Sequence, residues 1–300
     1  MTIPSLMGAE AAFHRYEAVR ARLPQAAFPE KTVTARNLTD VFDDYDGFVL
    51  DAFGVLNVGE TPIEGAAERV AEMRKRGKHV IVLTNAASYQ PAATKAKFER
   101  LGFDFSADEI VSSRATAASR LGEVVPGATW AGIAAEGDDF RDIDGTVVDL
   151  FAEPAAWEEA DGFLFLSSFR WDTGLQDKLV EALKKRPRPV VVANPDLVAP
   201  YGGSFSTEPG HFGHDIADRL GVVPRFIGKP FPEAFTLAQS KYPGARFAMV
   251  GDTLHTDVLG GKAAGMGTIL VTDHGLFAGL DAAHYVGRSG IIPDVTVETT

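Results

Sequence analysis

Short, uninterrupted apolar runs recur along the chain, and three of them stop at a polar side chain. Gly47-Phe48-Val49-Leu50 stops at Asp51, His79-Val80-Ile81-Val82-Leu83 at Thr84, and Phe247-Ala248-Met249-Val250 at Gly251-Asp252. Runs this short, without alternation, suit strands buried on both faces of a parallel sheet. Helical patterns follow them. Residues 66–76 carry Val70 and Met73 inward with Gly77 as the stop, residues 91–101 form a second, and Thr256 is placed to cap a third bearing Val258, Leu259 and Ala263. A further run covers residues 267–271. This alternation predicts an α/β fold with a doubly wound parallel sheet and helices on both faces.

The middle of the chain repeats the pattern. Residues 129–134, 146–150, 162–166 and 190–193 read as strands, with helical stretches over 154–159 and 174–185. That is enough for a second α/β domain inserted in the first. The boundaries predicted are an N-terminal helical extension over 1–38, a core over 39–115 and 205–300, and an insert over 116–204. The extension carries an amphipathic helix over 6–23, with Leu6, Ala9, Phe13, Tyr16, Val19 and Leu23 on one face.

Composition narrows the partners. The net charge of -12 repels nucleic acid and anionic membranes. There are no cysteines, which removes disulfides, thiolate catalysis and cysteine metal sites and fits a reducing compartment. No apolar stretch approaches a signal-peptide core or a membrane span, so a cytoplasmic location is expected. An acidic protein that binds a phosphate ester needs local positive charge, and a metal ion supplies it.

In an open α/β sheet, ligands bind beyond the carboxyl ends of the strands. Asp51, Thr84 and Asp252 end strands there, and Asp257 follows five residues after Asp252. Converging carboxylates suit a hard cation such as Mg²⁺.

The motifs Phe48-Val-Leu-Asp-Ala-Phe-Gly-Val-Leu56, Val80-Ile-Val-Leu-Thr84-Asn85, Ile227-Gly-Lys229-Pro230 and Val250-Gly-Asp252-Thr-Leu-His-Thr-Asp257 resemble, in order, the four motifs of the haloacid dehalogenase superfamily. The stretch from Pro62-Ile-Glu-Gly-Ala to Asn85, with Ala193-Asn-Pro-Asp196, resembles its subclass IIA of NagD and pyridoxal phosphatase type. The resemblance covers most of 44–115 and 190–275. It implies a hydrolase with an inserted α/β cap and a phosphatase acting on a small phosphorylated metabolite, with a homodimer through the cap as one arrangement. It implies that Asp51 is the nucleophile, forming an aspartyl-phosphate. Mg²⁺ would be held by Asp51, Asp252, Asp257 and the main-chain carbonyl of Phe53. Thr84 and Lys229 would contact the phosphate, with Asn85 beside them in the substrate site, capping the turn after Thr84. Strand alternation keeps residues 51 and 53 on the same side, so Phe53 would face the leaving group.

Phe53 is where the chain departs from the resemblance. The family usually carries a second aspartate there, serving as general acid and base. Such a group contributes about 10²–10⁴-fold. Its absence leaves two readings, a phosphatase that is slow or transfers phosphate to an acceptor, and a degenerate relative that binds a phosphorylated metabolite without turnover. A generic nucleotide-binding domain is disfavoured, because the first strand is followed by no G-x-G-x-x-G loop and the chain has no G-x-x-x-x-G-K-[ST]. His255, in the Asp252 loop, reads either as a solvated loop histidine or as a replacement acid. His211 and His214 have metal-like spacing in what reads as a loop.

Overall fold

The structure, a computed structural model, describes residues 6–201 and 204–300. It divides into two compact units, one of residues 1–15, 85–91 and 112–228, the other of residues 16–84, 92–111 and 229–300.

The second unit is built on a seven-stranded sheet. In order across the sheet the strands are Val33–Thr34, Val295–Val297, Gly267–Val271, Phe247–Gly251, Gly47–Leu50, His79–Thr84 and Ile110–Ser112. Pairing is parallel from Val33–Thr34 through His79–Thr84. The apolar runs are continuous because both faces are buried. Phe48, Leu50, Val80, Val82, Ala248 and Val250 pack on one face with Val70, Met73 and Phe98. Val49, Ile81, Leu83, Phe247 and Met249 pack on the other with Ala234, Phe235 and Ala238 of the Pro232–Ser240 helix. Each strand residue therefore meets protein whichever way it points. Leu50 pairs with both Val250 and Val82, so the register brings Asp51, Gly251-Asp252 and Thr84 to one sheet edge.

The first unit has its own parallel sheet, ordered Arg225–Phe226, Val190–Val192, Gly162–Phe165, Thr129–Ile133, Thr146–Asp149. A three-stranded antiparallel sheet of Leu6–Met7, Ser204–Thr207 and Val198–Tyr201 accompanies it.

Several boundaries differ from those read in the sequence. The insert runs on to residue 228 rather than 204, because Arg225–Phe226 pairs with Val190–Val192 and completes its sheet. Residues 1–38 are not a separate helical extension. Leu6–Met7 pairs with Ser206 and Phe205, the helix starts at Ala9 and ends at Val19, and Val33–Thr34 forms an edge of the core sheet. The segment 208–214 around His211 and His214 is no loop, because from residue 209 onward it belongs to the helix Pro209–Leu220. Pro209 occupies its first turn and Gly221, at φ 69°, ends it. Thr256 caps nothing, since it lies inside a single π-turn, Leu254–Val258. Among the described residues no helix is long and apolar enough to cross a membrane.

One buried ion cluster fixes the insert beside the Ser113–Ala118 helix. Arg114 is fully buried and uses all five of its N–H groups. Nη1 and Nη2 donate to Asp138 at 2.6 and 2.8 Å, Nε and Nη2 to Asp142 at 2.6 and 2.7 Å, and Nη1 to the Ala87 carbonyl at 3.2 Å. Removing the cation strands two carboxylates in a low-dielectric site. Arg114→Met is therefore expected to cost about 3–5 kcal/mol in urea unfolding. Arg114→Lys should recover little of it, because an ammonium cannot reproduce the planar fork.

Candidate active site

Asp51 follows directly on the Gly47–Leu50 strand, its N–H donating to the Val250 carbonyl at 2.8 Å. The chain then turns tightly, with the N–H groups of Leu56 and Asn57 both donating to the Ala52 carbonyl. The strand has already ended, so strand alternation does not decide which way Phe53 points. Gly54, at φ 74°, passes so close to Asp252 that a Cβ there would lie 2.7 Å from the Asp252 Cβ. The segment bearing Phe53 thus runs against the carboxylates.

Asp252 is fixed by the Leu276 N–H at 2.8 Å and the Thr253 hydroxyl at 3.0 Å. Asp257 comes back to the same point through the π-turn, accepting the Thr253 N–H at 3.0 Å. Two glycines make room. A Cβ on Gly251 would sit 2.1 Å from the Asp257 carboxyl carbon, and one on Gly275, at φ 75°, 1.7 Å from Asp252 Oδ2.

Carboxylate oxygens of Asp51, Asp252 and Asp257 all lie within 4.8 Å of one another. Lys229 is 1% exposed, and its Nζ lies 2.6 Å from Asp51 Oδ1 and 2.7 Å from Asp257 Oδ1. The Ala52 N–H also donates to Asp51 Oδ1, at 2.7 Å. Burial raises the Asp51 carboxyl well above the usual range against the pull of Lys229, with Asp257 and Asp252 adding to the rise. Asp252 is pushed up to about 7, first by burial and then by Asp257. One ammonium faces three carboxylates, a deficit of two positive charges. Hard oxygen donors with that deficit fit a divalent cation.

Thr84 ends its strand at the same sheet edge and is buried. Asn85 belongs to the other unit, where its Nδ2 donates to Asp196 Oδ1 at 2.8 Å and its Oδ1 accepts from Ser113 Oγ at 2.9 Å. His255 is not placed as an acid. It is buried, stacks on Tyr16 at 4.9 Å and bonds Glu17, and burial lowers its pKa. His211 and His214 sit inside the Pro209–Leu220 helix, and His214 stacks on Phe226 at 4.4 Å. They form no metal cluster among the described residues. The sequence reading missed Glu17, which carries no local signal of a partner 238 residues away.

The raised carboxyls set a pH signature for the metal-free protein. The fold holds the Asp252 proton up to about pH 7, whereas the unfolded chain releases it near pH 4. Between those values the native state binds more protons, so the Asp252 contribution to stability falls as pH rises from about 4 to about 7, and the raised Asp51 carboxyl adds a decline of the same sign. Thermal melting in a chelator from pH 5 to 8 should show this decline, and Asp252→Asn should flatten it. Gly275→Ala should displace Asp252 and weaken calorimetric binding of a divalent cation at least about tenfold, since both φ and the clash oppose it.

The comparisons with known proteins agree with this geometry. Residues 48–139 match the haloacid dehalogenase-like hydrolase family and residues 226–296 a second, HAD-hydrolase-like model, together more than half the chain. Human chronophin is 28% identical over 276 residues, covering 87% of this chain and 93% of that protein. D-glycerol 3-phosphate phosphatase of Mycobacterium tuberculosis is 26% identical over 236 residues, 78% of this chain but only 65% of that protein. Its structure in complex with magnesium superposes with a TM-score of 0.64 at 24% identity, over 77% of this chain and 68% of that one. A possible sugar phosphatase from Cytophaga hutchinsonii superposes with a TM-score of 0.78 at 25% identity, over 90% of this chain and 98% of the other. The chain belongs to the haloacid dehalogenase superfamily of hydrolases, among its NagD-like, subclass IIA members.

Proposed function

We propose that the protein is a Mg²⁺-dependent phosphatase that hydrolyses a small phosphorylated metabolite through an aspartyl-phosphate on Asp51. The observation that carries this reading is the charge deficit at the sheet edge, where the buried Asp252 and Asp257 and the partly buried Asp51 face the ammonium of Lys229. Asp51, Asp252, Asp257 and the Phe53 carbonyl are the groups that would hold the ion. Bound there, it would neutralise the facing anions of nucleophile and phosphate. The magnesium complex of the M. tuberculosis relative supports the choice of metal. The names of that relative and of the C. hutchinsonii protein support a small phosphate ester as the substrate class.

Lys229 and the Ala52 N–H both engage Asp51 Oδ1, so Oδ2 is the oxygen offered to phosphorus. As the Oδ2–P bond forms, the ester P–O bond breaks and the leaving oxygen takes a proton from water, since Phe53 has none to give. Water then attacks the phosphorus, its proton neutralising the hydroxide left by the first step, the Oδ2–P bond breaks, and inorganic phosphate leaves with the Asp51 carboxylate restored. Thr84 donates its hydroxyl to a phosphoryl oxygen, and Lys229 balances charge throughout. Asn85 stands beside Thr84 as a supporting residue. Both ends of its amide are engaged by Asp196 and Ser113, so it shapes the turn after Thr84 and leaves phosphate contact to Thr84 and Lys229.

Phe53 also favours a second reading, a protein that binds such an ester and does not turn it over. Activity on aryl and alkyl phosphates with Mg²⁺ separates the two. On the leading reading, aryl phosphates react far faster, Asp51→Asn abolishes turnover, and rapid quenching traps one added phosphate. Phe53→Asp should raise kcat/KM for alkyl phosphates by about 10²-fold. Tight Mg²⁺-dependent binding of an ester with no phosphate release and no phosphoprotein, in the native protein and in Phe53→Asp alike, would sink the enzyme reading.

A further inference from the structure

The two metal-site carboxylates of the fourth motif are joined by four residues, and those residues do not continue the strand or start an ordinary α-helix. They close as one π-turn, in which the N–H groups of Asp257 and Val258 both donate to the Thr253 carbonyl, at 3.1 and 3.2 Å. Such turns are rare and frequently sit at functional sites. Its second residue is His255. It points away from the carboxylates and into the N-terminal segment. There its ring lies on Tyr16, 4.9 Å between centroids and 13° between planes, and its Nε2 meets Glu17 Oε1 at 2.5 Å. Both rings are buried, at 1% and 3% exposure. Glu17 is steadied in turn by Arg20, 3.9 Å away.

We infer that His255, clamped by Tyr16 and Glu17, is a positioning residue that sets the spacing of Asp252 and Asp257 for the divalent cation. This rests on the metal reading above. Asp252 is fixed by the Leu276 N–H, from outside the turn, as well as by the Thr253 hydroxyl. Asp257 depends on the turn, through Thr253 N–H, and on Lys229. Loosening the turn therefore moves one ligand against the other. A neutral imidazole N–H donating to a carboxylate is a charge-assisted bond, of the stronger kind. Glu17 approaches the turn from outside it, so it acts on the metal only through His255.

The test is calorimetric titration of the full-length protein with Mg²⁺ alone. Glu17→Ala and His255→Ala should each weaken binding about tenfold. The double variant should be no worse than either single one, because both remove one contact. Glu17→Gln keeps an acceptor for the ring N–H and should stay within about threefold of the native protein. A merely structural role predicts instead a lower melting temperature in chelator with Mg²⁺ affinity unchanged. Native affinity in Glu17→Ala, which removes a half-exposed side chain from a surface helix, would overturn the inference even if His255→Ala does not fold. Asp252→Asn is the control for the metal reading. If it binds Mg²⁺ like the native protein, the site itself is wrong. If it loses binding while Glu17→Ala keeps it, only the positioning role fails.

Discussion

Three carboxylates and one ammonium share a buried sheet edge, and much of the neighbouring backbone is arranged to tolerate them. Like charges within 4.8 Å repel strongly where water is excluded. The chain answers with main-chain donors from Ala52, Thr253 and Leu276, each aimed at one oxygen. Those donors come close enough only because Gly54, Gly251 and Gly275 leave no Cβ in the way. What the donors do not supply is net charge. Burial first, and the neighbouring carboxylates after it, raise Asp51 and Asp252, and a divalent cation would meet the shortfall in sign and size.

The sheet that holds this edge was legible because its central strands are buried on both faces. Phe48, Val49 and Leu50 alternate between two cores, so no polar residue interrupts the run until Asp51. The edge strands were not legible for the same reason inverted. Val33–Thr34 and Arg225–Phe226 are two residues long, and neighbours rather than composition make them strands. Val33, 61% exposed, gives no sign of burial at all. The Pro209–Leu220 helix could have been found. Pro209 at its first turn and Gly221 after its last are ordinary start and stop signals, masked by two glycines at 210 and 213. Those glycines are spatial requirements. A Cβ at 210 would lie 2.0 Å from the Pro195 carbonyl, and one at 213 would lie 2.7 Å from the Phe226 ring.

The site residues divide in the same way. Asp51, Asp252 and Asp257 were readable because carboxylates at strand ends have few reasons to gather. Lys229 was readable only through its neighbours Gly228 and Pro230, since an isolated lysine is ordinarily solvated. Its burial at 1% follows from the carboxylates on either side. His255 read as a loop residue because its partners, Tyr16 and Glu17, lie in a segment with no motif of its own. Side-chain direction within a π-turn is also not predictable from spacing. Asn85 read as a cap of the turn after Thr84, but its partners Asp196 and Ser113 lie too far along the chain to be named from the sequence.

Phe53 separates two contributions that are usually delivered together. Phosphoryl transfer depends chiefly on positioning and charge neutralisation, with little covalent work for the protein. The groups for that remain in place around Asp51. Proton transfer is a separate contribution, worth about 10²–10⁴-fold, or roughly 3–5 kcal/mol of barrier. On the proposed mechanism, losing it weighs on both halves of the reaction, but unequally. In the first half a good leaving group needs no proton, so the burden varies with the substrate. In the second half the attacking nucleophile is always water, so the burden does not vary. Slow release of the phosphoaspartate is then a property of the protein rather than of any ester. An acceptor more nucleophilic than water would relieve it, which is how a hydrolase fold that lacks this one carboxylate turns toward phosphate transfer.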